Sequence, residues 1–471
     1  MGLGLLILVS TGKENIYLTT EPEITFFKLA YKKYTNFSIE AIPQYFQTNP
    51  DFGRKCTINI GKTGDLMYIT YLYIELPPID YSIHFKWVNK IGLALINYIE
   101  IEIEGNIIDR HYGDWLNIWY EMTTKYDQVK GYNNMIGNIN YLTEYSKTKL
   151  SYILYIPLAF WYCLDSGIAL PLISLANSDI KIHVEFNNFN TCYNISPSYY
   201  ITINESICCF EQYDKMYQYY QNQTVIGQFI KFDPITQRVY YNPIQGTFKP
   251  IYFITNYNND LPITMQTNSV IVQTNTDFNY NYPSLLNAYL LVNYIYLDNY
   301  ERVKFINNSP EYIIQVIQTL QEQIIYSANN IYKLGLYNPI KLLVWRGILL
   351  SNLNNNDMFN YSDKLINKNL VVINSINRMD IDSIPYYTIV PIYQYNLNNM
   401  QSGIYMYSFA LNPLELQPSG SLNFSKIDDA YIQLTMNKTI NYQNPVNMKC
   451  YAIQYNIFKV NNGIGGIIYN N

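Results

Sequence analysis

Alternation with a period of two runs through this chain and narrows its possible folds more than any other feature. Ile99, Ile101 and Ile103 alternate with Glu100, Glu102 and Glu104. Successive side chains of a strand point to opposite faces, so such a segment sets one face on a core and leaves the other to solvent or an interface. Gly105–Asn106 supplies the residues of a tight hairpin, and Ile107–Ile108 resumes the strand. The pattern returns at Ile180, Ile182, Val184 and Phe186, between Lys181, His183 and Glu185, and again at Ala430, Ile432, Leu434 and Met436. Many short strands separated by Gly, Pro and Asn turns predict an all-β sandwich or barrel. Helices are expected only as connectors. Ser309–Pro310–Glu311 carries an N-cap signature ahead of Ile313, Val316, Ile317 and Leu320, and Asp114, Trp115, Ile118, Trp119 and Met122 predict a counterpart in the first half.

At 471 residues the chain suits two domains of roughly 200 to 250 residues each. Its plan recurs. Leu95–Ile99 echoes Leu291–Ile295, each ahead of a turn and a short helix. Phe160 to Phe186 reads as strand, Pro/Gly-rich linker and alternating strand, and so does Tyr407 to Met436. Matching order of elements, more than matching letters, points to two similar β-domains in tandem. We place them at residues 1–220 and 221–471, with the boundary in the Tyr/Gln-rich stretch Glu211–Gln223. Thr123–Lys149 and Asn352–Asn369 read as long surface insertions between strands.

Charge and composition limit the partners. With 31 basic and 36 acidic side chains the net charge is -5, so a nucleic-acid footprint is not expected. Only 14% of residues are charged, against about 25% in ordinary soluble domains. Tyr alone accounts for 51. Such a surface suits being covered by partners, since Tyr offers apolar area with a polar tip; codon bias of an AT-rich genome is the other explanation. Met1–Ser10 is apolar but lacks a charged n-region and a cleavage site, is followed at once by Lys13 and Glu14, is too short to span a bilayer, and has Leu6 where myristoylation wants Ser or Thr. Tyr152–Ala176 reads as two short buried strands because Pro157, Pro171 and Asp165–Gly167 break it. Cysteines 56, 163, 192, 208, 209 and 450 show no CxxC spacing and are expected as reduced thiols in the cytosol. Sequons such as Asn36–Ser38, Asn222–Thr224 and Asn437–Thr439 are expected to stay unmodified.

Candidate chemistry is sparse. His84, His111 and His183 sit in unrelated settings, and no His/Cys spacing supports a zinc site. Gly463–Gly466 is only loosely like a phosphate loop, lacking its Lys and Ser/Thr. Alternation puts Glu100, Glu102 and Glu104 on one strand face at roughly 6–7 Å intervals, near the spacing of paired glycosidase carboxylates or of a Ca²⁺ site; a solvated acidic face is the simpler reading. Asp109, Arg110, His111 and Asp114 are explained by an ion-paired turn with Asp114 as helix cap. Lys32–Lys33 and Arg54–Lys55, close to aromatic residues, read as a solvated face or a subunit contact.

Several segments taken in order carry a resemblance. Tyr17–Leu18–Thr19 and Ile24–Lys28 lead into Tyr31–Phe37, with a basic pair ahead of Thr35–Asn36–Phe37. Tyr112–Gly113–Asp114–Trp115 follows, then Ile156–Pro157–Leu158, Phe160–Trp161 and Ala169–Ile173. The second half adds Tyr296–Asp298 with Glu301–Arg302, Tyr407–Leu411, Gln417–Gly420, Asn423–Asp428 and the tail Tyr451–Ile453 to Gly463–Gly466. Along essentially its whole length the chain resembles the major capsid proteins of the nucleocytoplasmic large DNA viruses. Tyr34 departs from the His often found there, and the two long insertions match nothing in the family pattern.

The resemblance implies two consecutive eight-stranded jelly rolls and a homotrimeric capsomer, nearly hexagonal in outline, tiling an icosahedral shell. It implies contacts with neighbouring capsomers and with minor capsid and penton proteins, no direct nucleic-acid contact, no transmembrane segment, and an inner membrane beneath the shell as a possibility. The location would be the outer capsid of the virion, after synthesis and assembly in the host cytoplasm. The motifs are structural, so no catalytic, cofactor-binding or metal-binding residue and no cofactor is carried over. The rival readings are a minor capsid protein of the same fold, a glycan-binding attachment protein, and a β-sandwich carbohydrate-active enzyme using the Glu100–Glu104 face.

Overall fold

The computed structural model describes residues 3–469 apart from 11, 30, 196–198, 206–208, 212–213, 221–222, 250–251, 257–259, 267–271, 274–282, 362–364, 378–382 and 398–399. Of residues 4, 14, 81–84, 147, 243, 272–273 and 377 it describes the backbone alone. Cys208, Asn222 and the His84 side chain therefore lie outside the description. Two compact units emerge, Met1–Phe37 and Ser38–Asn471. The first holds two short exposed helices, Leu3–Val9 and Lys13–Thr19. No helix among the described residues is long and apolar enough to cross a membrane.

The second unit is built of strands, in chain order β1 Phe37–Tyr45, β2 Lys55–Asn59, β3 Leu66–Leu76, β4 Ile79–Trp87, β5 Ile96–Ile103, β6 Asn106–Tyr112, β7 Ser146–Lys149, β8 Tyr152–Pro157, β9 Ile180–Phe186 and β10 Tyr193–Ile195. Next come β11 Tyr199–Thr202, β12 Lys215–Tyr220, β13 Gln223–Asp233, β14 Arg238–Gln245, β15 Phe253–Asn256, β16 Pro262–Thr264, β17 Val272–Gln273 and β18 Asn287–Leu297. The remainder are β19 Glu311–Thr319, β20 Gln323–Ile325, β21 Asn329–Lys333, β22 Pro339–Leu349, β23 Ile366–Ile373, β24 Ile376–Asn377, β25 Ile404–Ser408, β26 Leu422–Asn423, β27 Ala430–Met436, β28 Val446–Asn461 and β29 Ile464–Ile467.

Sheets β1-β18-β3-β8 and β2-β9-β5-β6 share one apolar core. Alternation explains why. Ile99, Ile101, Ile103, Ile180, Ile182 and Val184 are all buried, and the residues between them carry the charges. The hairpin joining β5 to β6 turns on Glu104 (φ 51°) and Gly105 (φ 78°), one place earlier than Gly105–Asn106, because two consecutive left-handed residues match the twist of the strands. Strand β18 pairs with β3, so the chain crosses back into this first sheet after residue 220. Lys215–Tyr220 lies inside a separate seven-stranded sheet, β16-β15-β12-β13-β14-β11-β17, which packs a small core of its own.

From Glu311 onward the strands form β19-β28-β22-β25 and β21-β27-β23-β24. Strand β22 is buried on both faces. Leu343 and Trp345 point into the second core, whereas Leu342 and Val344 join the first. Its neighbour β28 divides the same way, Cys450 and Ala452 against Tyr451 and Ile453. One sheet is thus a wall common to both cores.

Three expectations need correction. Ser309–Leu320 is no helix: Glu311–Thr319 pairs residue for residue with β28, from Glu311↔Lys459 to Thr319↔Tyr451. Its β-branched residues fit a pleated, half-buried surface, and pairing along a sixteen-residue strand outweighs a local cap signature. The helix instead spans Asn299–Asn307, capped by Asp298 accepting from the Glu301 amide. Tyr152–Ala176 yields one strand, β8, followed by the short helix Trp161–Leu164, because Asp165 turns the chain by accepting from the Gly167 amide. Nor are the insertions wholly superficial: Ile136, Leu142, Phe359 and Tyr361 are buried in the first core.

Candidate functional site: a buried seam and an aromatic sheet face

Where the two cores meet, helix Gly113–Thr123 brings Asp114 against β22 and β28. Its carboxylate accepts from Arg346 Nε at 2.8 Å, from Tyr451 Oη at 2.8 Å and from the Tyr361 hydroxyl. Arg346 also donates to the Asn447 carbonyl at 3.1 Å and to its side-chain oxygen at 2.8 Å, and Asn447 donates to Glu322, which pairs with Lys449 at 3.0 Å. Burial pushes the Asp114 carboxyl up, but Arg346 and Lys449 outweigh it and hold the group below its usual range. Burial likewise opposes the Arg346 charge, and Asp114 more than restores it. The Asp114 side chain does not cap its helix as expected. Such a closed ionic network fixes one docking geometry more than it adds stability.

Gly113 is part of the same device. A Cβ there would lie 2.2 Å from the Leu93 carbonyl oxygen and 2.6 Å from that of Ile96, so only glycine lets the helix start this close to the preceding chain. Asp109 spans the seam from the other side, its carboxylate accepting from the Ile317 amide of β19 at 3.0 Å and standing 3.0 Å from His111 Nε2, while His111 stacks on Phe160. At the tail, Asn462 and Gly463 form the left-handed turn between β28 and β29. Ser178 Oγ donates to the Gly463 carbonyl at 3.1 Å and accepts from the Gly465 amide at 3.0 Å. The glycines there serve packing between the halves.

The acidic row is solvated only at Glu104, which lies exposed just past the end of β5. Glu100 is 1% exposed and paired with Lys55 at 3.1 Å and Arg110 at 2.6 Å. Glu102 pairs with Lys181 and with His183 Nε2, and His183 Nδ1 meets Thr57 Oγ1 at 2.8 Å. Glu104 accepts from the Asp179 amide. Cations from neighbouring strands thus consume Glu100 and Glu102, Glu104 is held by a backbone amide, and no free acid pair is left. Among the described residues no three His, Cys, Asp or Glu side chains are placed to hold a metal ion. None of the described cysteines is in a disulfide. Of the basic spots, Lys55 serves Glu100 and Arg54 reaches only the Asn49 carbonyl; Lys32 and Lys33 lie in the exposed first unit.

Sequence reasoning did not single out the outer face of β1-β18-β3-β8. Strand register sets Tyr289 opposite Tyr73 and Tyr73 opposite Tyr155. Their rings follow, Tyr73–Tyr289 stacked at 4.3 Å and Tyr73–Tyr155 edge-on at 5.2 Å, and Tyr45 extends the row at 5.5 Å from Tyr289. Tyr45 is 65% exposed, Ile153 and Tyr155 lie open beside the row, and Leu150 and Leu286 are exposed near its ends. The period-two placement of Tyr71, Tyr73 and Tyr155 was the signal available. An aromatic row with polar tips on a flat sheet has the composition of a protein interface.

Residues 25–224 match the family described as "Major capsid protein N-terminus", and residues 301–466 match "Large eukaryotic DNA virus major capsid protein". The chain is 35% identical to "Probable capsid protein 4" of Acanthamoeba polyphaga mimivirus over 514 aligned residues, covering 100% of this chain and 99% of that one. It is 28% identical to the major capsid protein of Phaeocystis pouchetii virus, with both chains covered in full. Among solved structures the Faustovirus major capsid protein superposes with a TM-score of 0.70 at 13% identity, over 96% of this chain and 94% of that one. The architecture is therefore that of the double jelly-roll capsid proteins.

Proposed function

Because the chain belongs to the major capsid protein family of large eukaryotic DNA viruses, we propose that it self-assembles as a homotrimeric capsomer of nearly hexagonal outline tiling an icosahedral shell. Membership makes it a structural component of the virion capsid, not an enzyme. In the proposal one chain contributes two tandem jelly rolls, residues 1–220 and 221–471, with β18 returned by the second part to the sheet of the first. Minor capsid and penton proteins would be its other partners, and the host cytoplasm its site of assembly.

The tyrosine row on β1-β18-β3-β8 is the observation that carries this reading. A second copy covering Tyr45, Tyr155 and Ile153 would remove apolar area from water while the phenol tips keep hydrogen-bonding partners. Obligate interfaces bury on the order of 2,000–5,000 Å². At ~25 cal/mol/Å², even half of that being apolar is worth roughly 25–60 kcal/mol before ordering and association costs, which remove most of it. The rigid seam supports the same reading, since barrels locked at Asp114 present their flanks in one fixed geometry. Electron microscopy of the purified chain tests the proposal. Three-fold particles with a hexagonal outline are expected, and isolated two-lobed particles at all concentrations would refute it.

A further inference from the structure

The seven-stranded sheet turns one face onto its own core, through Ile201, Val239 and Tyr241, and the other outward. On the outward face cations and aromatic rings alternate. Arg238 lies 4.4 Å over the Tyr200 ring, Tyr200 neighbours Tyr240 at 5.7 Å, and Lys231 lies 4.6 Å over Tyr240. Lys231 is also 6.0 Å from the Tyr145 ring, over which Lys86 of β4 sits at 4.9 Å. Register explains the row, since Tyr200 pairs with Tyr240, Lys231 pairs with Tyr240 across a bulge, and Arg238 precedes Tyr240 by two residues.

None of these three cations is in an ion pair among the described residues. The acids near them are Asp233, opposite Arg238 in the register, and Asp357, which attracts Lys86; each also accepts local hydrogen bonds. Asp233 accepts from the Ile235 amide and Thr236 Oγ1, and Asp357 accepts from Asn360 Nδ2. Burial disfavours the Lys86 charge most, and Asp357 attracts it while Lys231 repels it across the Tyr145 ring, so an added anion would favour both lysines. Three cations thus face two acids here, a local excess of positive charge on a chain whose net charge is negative.

We propose that the outward face formed by Lys86, Tyr145, Tyr200, Lys231, Arg238 and Tyr240 binds an acidic glycan. Ring faces are what a nucleic-acid base needs for stacking, and here the cations occupy them. What remains open are ammonium and guanidinium groups beside phenolic hydroxyls. Sulfates or carboxylates spaced along a polyol match that set, the anions meeting the cations and the sugar hydroxyls meeting the Tyr tips.

The full-length protein is tested by biolayer interferometry against immobilised heparin, with neutral dextran and a single-stranded oligonucleotide as comparators. Heparin should bind and dextran should not. Lys231→Gln combined with Arg238→Gln should weaken heparin binding by about tenfold or more, because two desolvated charge contacts are lost. The charge-conserving pair Lys231→Arg and Arg238→Lys should bind as the parent does, and so should Lys459→Gln, a lysine paired elsewhere with Glu311. The exposed single variant Lys231→Gln, which nothing in the core depends on, should show a smaller loss in the same direction. No heparin binding by the parent would overturn the proposal, as would undiminished binding by both Gln variants. Oligonucleotide binding of equal strength through the same residues would also overturn it, reassigning the face to nucleic acid.

Discussion

Asp114 and Arg346 stand 2.8 Å apart although 232 residues separate them in the chain, and each is the other's countercharge inside the protein. The contact ties helix Gly113–Thr123 of one half to strand β22 of the other. Neither charge tolerates the loss of its partner.

Asp114→Asn should therefore destabilise the protein by about 3–5 kcal/mol in denaturant unfolding, the usual penalty for orphaning a buried charge. Adding Arg346→Met should restore part of that loss, since both charges are then gone. A double variant as unstable as the sum of the single ones would show that the two residues do not act as a pair.

The same carboxyl sets an acid limit. Its folded value is held below its ordinary range, so its stabilising contribution is present above an unfolded value near ~4 and is lost as pH falls through the lower folded value. A pH series of unfolding curves should show this loss in the parent and a flatter acid limb in Asp114→Asn.

Lys341 works in the opposite direction. Fully buried on β22, it donates among the described residues to the Glu415 carbonyl at 3.2 Å, and burial pushes its ammonium down to about 7. Unfolded, it holds its proton to about 10.4. Between about 7 and about 10 the unfolded chain binds more protons, so stability should rise with pH across that window. Lys341→Met should remove the slope and stabilise the protein at neutral pH by about 1–3 kcal/mol. A slope unchanged in the variant would rule Lys341 out as its source.

Gly113→Ala should cost about 1–3 kcal/mol or more, because its methyl would meet two carbonyl oxygens of the backbone. Thermal melting reads this directly, and a variant as stable as the parent would show that the preceding turn can give way.

Legibility followed the range of the forces. Strands such as β9 were plain in the sequence because burying one face imposes the two-residue period locally. The tandem plan and the shell family were legible through ordered motifs, among them Tyr112–Gly113–Asp114–Trp115. Glu311–Thr319 was misread because Ser309–Pro310–Glu311 is a valid local helix start, and pairing with β28, more than a hundred residues away, decides otherwise. The partners of Asp114, the pairing of Glu100 with Lys55, and the tyrosine row were hidden for the same reason. Register between distant strands creates them, and one sequence holds no record of that register.

Light scattering on dilute protein tests the central claim, that side-by-side barrels offer flanks made to meet copies of themselves. The account predicts three times the 55.3 kDa chain mass, reduced toward a single chain when Tyr45 and Tyr155 are both replaced by Glu. A parent protein that stays at one chain mass across the accessible concentrations would contradict it.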